Sequence, residues 1–151
     1  MSITIWAERW PDFKVEEILS PQQLKLFRVK NIFPYSFKAL DKLQEFRRFV
    51  DKPFLINHGD LQRRGARSTK EVYEINADTR GAERAWEYSF HLWCAFDIAV
   101  DGMTPGQLYS TALAFGKWGG VGIYNWGVHC DDRDSLIPGT ATWDGRYPKP
   151  E

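Results

Sequence analysis

The chain has 151 residues, which favours one domain, 1–151, with a sizeable core. Hydrophobic residues make up 43% and aromatics 15%, including seven tryptophans, so a packed globular protein is expected rather than a disordered one. Twenty basic residues balance twenty acidic ones and no apolar run approaches the ~20 residues of a membrane span, so neither nucleic acid nor a membrane is an expected partner.

The N-terminal stretch MSITIWAERWPDF lacks a basic segment followed by an apolar one, so no secretory signal is expected there. Residues 1–20 read as irregular, apart from a short helix around Val15 to Leu19. Ser20-Pro21 then opens a helix, with serine as cap and proline at the first helical position. In KALDKLQEFRRFV, residues 38–50, Leu40, Leu43, Phe46 and Val50 recur at helical spacing. Asp51-Lys52-Pro53 ends that helix, and Phe54 to Asn57 read as a short buried strand.

Residues 58–88 are charged and without clear period, and read as a long loop region with room for a helix near 69–76; loops of that length are often functional. AFDIAV, residues 95–100, predicts a central strand. Thr104-Pro105 opens a helix through about Gly116, and Gly119-Gly120 breaks the chain. Val121 to Tyr124 and Gly127 to Cys130 predict two short strands around Asn125-Trp126, and the tail from Asp131 onward reads as turns. This order predicts an α+β fold: helices first, then a small antiparallel sheet flanked by helices. Cys94 and Cys130 are too few for a disulfide framework and point to folding in a reducing cytoplasm.

Two of the three histidines, His91 and His129, sit at the edges of apolar strand-like segments, each followed by an acid, Asp97 and Asp131. Two histidines and a carboxylate form a common ligand set for a catalytic zinc, which keeps its fourth position for water. Spacing alone leaves open the alternative, a set of hydrogen-bonded structural side chains, since no compact signature such as H-E-x-x-H is present.

SFHLWCAFDIAVDGMTP resembles the S-x-H-x-x-G-x-A-x-D signature of the D-alanyl-D-alanine carboxypeptidase and L-alanyl-D-glutamate endopeptidase family. These are zinc peptidases of the Hedgehog/DD-peptidase fold, many of them phage endolysins. Downstream, GGVGIYNWGVHCDDR resembles the family's G-G-x-G-x-Y…F-V-H-x-D-x-R segment, and upstream PFLINHGDLQRRGARS is similar to its strand and G-x-R-S turn. The likeness spans roughly residues 13–144. It implies that His91, Asp97 and His129 bind Zn2+, and that Arg67 engages a substrate carboxylate, a role suited to the guanidinium fork. Arg63 and Arg64 are close enough to be confused with Arg67.

Asp131 lies two residues after His129, on the same face of a strand. There it can serve as general base toward a zinc water or orient a ligand from outside the metal's own shell. Asp131 is the best local candidate for the base, taking the water's proton and returning it to the leaving amine; Glu83, Glu87 and His58 could reach in from the loop, and Ser89 shapes the turn before His91. Trp86, Trp93, Trp118 and Trp126 are core residues by default, with one or two free to line a groove. The sequence departs from the family at one place: His91 and Asp97 are six positions apart instead of seven, and the glycine is missing. An offset of six puts both on one strand face without a bulge, so the deletion is either absorbed locally or costs the site. Cys94 adds a thiolate as a further candidate ligand, whereas Cys130 points away from His129's face into packing.

The resemblance therefore implies a monomeric zinc metallopeptidase cutting peptidoglycan stem peptides as an endopeptidase or carboxypeptidase. It would be made in a host cytoplasm and act at the cell wall after release by a separate pore, as phage endolysins do. The alternative is a non-catalytic relative serving as a wall-binding or virion structural module.

Overall fold

A computed structural model of the chain describes residues 3–19, 21–30, 35–56, 94–133 and 139–149. Four helices come first: α1 (Ile3–Arg9), α2 (Val15–Ile18), α3 (Pro21–Lys30) and α4 (Phe37–Val50). Strands β1 (Leu55–Ile56) and β2 (Ala95–Ala99) precede helix α5 (Pro105–Phe115), and β3 (Gly120–Tyr124), β4 (Gly127–Asp131) and β5 (Ala141–Asp144) follow it. None of the described helices is long and apolar enough to cross a membrane.

The two long helices form where their caps and apolar spacing agree. In α4 the Ser36 hydroxyl accepts the Ala39 amide at 3.1 Å, and Ala39, Leu40, Leu43 and Phe46 make one buried stripe. In α5, Thr104 and Gln107 cap each other's backbone amides, Pro105 fills the first turn, and Gly116 closes the helix at φ 70°. The glycine removes the Cβ clash that a left-handed C-cap imposes on other residues.

The sheet order is β1-β2-β4-β3-β5, so the fold is α+β as the sequence predicts. The sheet is mixed, however, and not purely antiparallel. Strands β1 to β4 pair antiparallel, while β5 runs parallel to β3. The chain reverses after β4 and crosses to the free edge of β3, so its last strand takes the direction of β3. Neither β5 nor α1 is anticipated by the sequence reading. Helix α1 docks through Trp6 and Trp10, whose rings meet edge-on at 4.8 Å, and the Trp10 indole donates to Asp41 of α4 at 2.9 Å. Arg9 grips the same carboxylate with two bonds of 3.0 and 2.9 Å.

Strand alternation gives the sheet two chemically different faces. Phe96, Ile98, Val121, Val128 and Cys130 belong to the hydrophobic core with α4 and α5. The opposite face carries Asp97, His129, Asp131, Gly120, Gly122 and Trp143. Two ties hold this second face in place. The Tyr35 hydroxyl bonds the backbone of Ala95 at the start of β2, accepting its amide at 2.8 Å. Lys42 of α4 pairs with buried Asp132, immediately beyond β4.

Candidate functional site

The pairing register lines up four side-chain positions across the polar face. Asp97 of β2 stands opposite His129 of β4, His129 opposite Gly122 of β3, and Gly122 opposite Trp143 of β5. The next row, two residues along, holds Ala95, Asp131, Gly120 and Ala141. The period of two that placed His129 and Asp131 on one face in the sequence also brings Asp97 there, from a neighbouring strand.

These groups are buried: relative exposure is 2% for Asp97, 8% for His129 and 0% for Asp131. Charged groups persist at such depth only when partnered. The His129 ring has a carboxylate at each nitrogen, Asp131 Oδ2 at 2.8 Å from Nε2 and Asp97 Oδ1 at 3.4 Å from Nδ1. Burial works against its charged form, but the two carboxylates outweigh burial and hold its pKa above the ordinary value. Burial likewise opposes the charge on Asp131; Arg133 first, and His129 after it, overcome that and hold its pKa down at about 2.

The chemistry of this donor set fits part of a metal centre. Two ligands about 2.0–2.1 Å from one tetrahedral ion stand about 3.3 Å apart. The 3.4 Å between His129 Nδ1 and Asp97 Oδ1 is long for a hydrogen bond and matches that spacing. His91 and Arg67 lie outside the described residues, as do Glu83, Glu87, His58 and Ser89. Among the described residues, no group of three or more His, Cys, Asp or Glu side chains is arranged to hold a metal. The pair Asp97 and His129 would thus supply two ligands, and the third must come from elsewhere.

Cys94 does not join them. It lies one residue before β2, at odd spacing from Asp97, and belongs with the hydrophobic core. Burial pushes its thiol up to about 12, in keeping with that packed position. Burial raises Cys130 well above the ordinary thiol value too, in keeping with its expected packing role.

Three residues that shape the site, Arg133, Trp143 and Tyr124, escape the sequence reading. Arg133 binds Asp131 through its guanidinium and its own backbone amide. The Trp143 ring lies beside His129, with centroids 5.2 Å apart, and the Arg133 guanidinium sits 4.9 Å from the Trp143 centroid. The Trp143 indole donates to the Tyr124 hydroxyl at 2.9 Å, and Tyr124 stacks on Trp126 at 4.9 Å. Trp126 therefore belongs to an aromatic wall flanking the site, while Trp118 is core, as expected by default.

Gly120 and Gly122 leave the space these groups fill. A Cβ at Gly122 would stand 2.3 Å from the Trp143 indole. That ring is rigid and hydrogen-bonded, so it cannot yield as a flexible side-chain end would. Gly122→Ala is expected to lose about 1–3 kcal/mol of stability through overpacking. The change would appear in denaturant unfolding with a shift in tryptophan fluorescence; unchanged stability would mean that Trp143 does not lie over Gly122.

Compared with known proteins, the chain matches no family model, no curated protein and no solved structure.

Proposed function

We propose that this protein is a zinc-dependent peptidase with a Hedgehog/DD-peptidase-like fold that cuts peptide bonds in bacterial peptidoglycan stems, deployed as an endolysin. The observation that carries the metal reading is the buried cross-strand pair, His129 Nδ1 and Asp97 Oδ1, held at a spacing suited to two ligands of one tetrahedral ion. The substrate class rests on the resemblance of the two motifs that contain these residues.

In this reading Asp97 and His129 hold the ion with His91 as third ligand, and Arg67 binds a substrate carboxylate. A bound zinc supplies Lewis-acid polarisation of the peptide carbonyl and a water acidified to near neutral pH. The buried row keeps both ligands rigid and partly dry, which strengthens their hold on a cation. The aromatic wall of Trp143 and Tyr124 restricts the approach to His129 from the β5 side. With Asp131, the expected base, fully hydrogen-bonded, proton transfer from water to the leaving amine would fall to Glu83, Glu87 or His58.

A second reading is a non-catalytic relative that keeps the site as a wall-binding or virion structural module. It is favoured by the full hydrogen-bonding of Asp131, the carboxylate expected from the sequence to serve as base.

The test is turbidity loss of purified peptidoglycan with added zinc, with chelator, and with His129→Ala, reading product masses in parallel. Chelator-sensitive release of stem-peptide fragments, absent in the variant, is the expected result. A folded, zinc-loaded protein that releases nothing would leave the binding module as the better reading.

A further inference from the structure

The Asp131 carboxylate has four donors around it. Oδ1 accepts the Arg133 backbone amide at 3.1 Å and Arg133 Nε at 2.9 Å, while Oδ2 accepts Arg133 Nη2 at 2.7 Å and faces His129 Nε2 at 2.8 Å. An ionised carboxylate offers about four acceptor sites, so none remains to take a proton from water.

The arrangement depends on the absence of a side chain at Gly120, directly across from Asp131. A Cβ there would stand 2.5 Å from Arg133 Nε and 2.7 Å from both Asp131 oxygens. The glycine thus admits the guanidinium, which fixes the carboxylate in two dimensions; Trp143 backs the guanidinium on the ring side. With the carboxylate fixed and ionised, His129 Nε2 must keep its hydrogen to satisfy the 2.8 Å contact. The lone pair of the neutral ring is then on Nδ1, on the side of Asp97 Oδ1.

We propose that Asp131 and Arg133 are positioning residues that lock His129 as the Nε2–H tautomer and present Nδ1 to a divalent cation shared with Asp97. This rests on the zinc reading for the identity of the cation, though not for the tautomer. Asp131 then acts through His129 and not on the reacting water. Carboxylates placed this way behind a ligating histidine orient the ring and raise its basicity.

The tautomer is testable in the metal-free full-length chain. Long-range 1H–15N correlation of histidine-labelled protein, at a pH where the ring is neutral, is expected to show His129 protonated on Nε2. Assignment follows from the signal lost in His129→Asn. Zinc titration is expected to move the Nδ1 resonance while Nε2 keeps its hydrogen. In Asp131→Asn and Arg133→Gln, zinc affinity is expected to fall about 10–100-fold.

A ring protonated on Nδ1 would overturn the proposal. So would an Asp131→Asn variant with native zinc affinity and lost turnover, the signature of a proton acceptor. A native chain that keeps the Nε2–H ring but binds no zinc would overturn the metal reading of the site and leave the locked tautomer standing.

Discussion

Replacing Asp97 with alanine is expected to weaken zinc binding by at least about 100-fold, past the upper end of what removing a mere supporting contact does. In the zinc reading Asp97 stands beside His129 as a ligand, so its loss would remove a bond to the ion and not a bond to a ligand. Charge makes the effect larger. The carboxylate is almost wholly buried, where attraction to a dication is screened far less than at the surface. His129 alone from this face offers a single neutral donor.

Competition against a chromophoric chelator at neutral pH measures the change, with circular dichroism confirming that the variant folds. Affinity equal to that of the native chain would remove Asp97 from the ligand set and, with it, the central support for the metal reading. Comparison with Asp131→Asn sharpens the result. Asp97→Ala should be the more damaging of the two if one carboxylate touches the ion and the other only the ring.

What the sequence made legible follows from how local each signal is. Helices α4 and α5 and strand β2 carry their own caps, spacing and alternation within a few residues, and all three form close to where they are predicted. The start of α3 at Pro21 and the short helix after Lys14 follow local signals too. Helix α1 escapes because, among the described residues, its docking rests on two tryptophans four residues apart, too few for a period, and on Asp41, which is 31 residues from Trp10 in the chain. Strand β5 escapes for a related reason. ATWD is four residues long, alternates between partial burial and exposure, and exists because the free edge of β3 is there to pair with it.

The site divides the same way. Strand period alone puts His129 and Asp131 on one face, but the sequence reading leaves Asp131 two roles, base or orienting group. The position of Arg133 supports the orienting role, and that position depends on Gly120, from the strand next door. By sequence, Gly119-Gly120 reads as a break in the chain. In the fold, Gly120 begins β3 and its missing Cβ is the space Arg133 occupies. Trp143, read as part of a tail of turns, is the ring beside His129. The signal that could find Arg133 is present in HCDDR, where a basic residue stands two positions after Asp131, close enough to reach back to its carboxylate.

The core under this face makes the other large effect. Phe46→Ala is expected to lower the unfolding free energy by about 3–5 kcal/mol, a large share of the ~5–15 kcal/mol that holds a typical domain. Phe46 is fully buried, with ring centroids 5.3 Å from Phe54, 5.1 Å from Phe115 and 5.8 Å from Trp118. Trp118 in turn meets Phe96 of β2 at 6.0 Å. Truncation therefore opens a cavity where α4, α5 and the apolar side of the sheet converge, and rigid rings collapse into such a space poorly. For a chain of this length the expected fall in melting temperature is about 6–20 °C. Phe49, on the same helix but 53% exposed, is the control, and its alanine variant should cost about 1 kcal/mol or less. Equal losses from the two variants would mean that α4 does not bury Phe46 against the sheet. The effect should also reach the polar face, because Lys42 on the same helix holds Asp132, next to Asp131. A Phe46→Ala protein still folded at low temperature should bind zinc more weakly than the native chain although no ligand has changed.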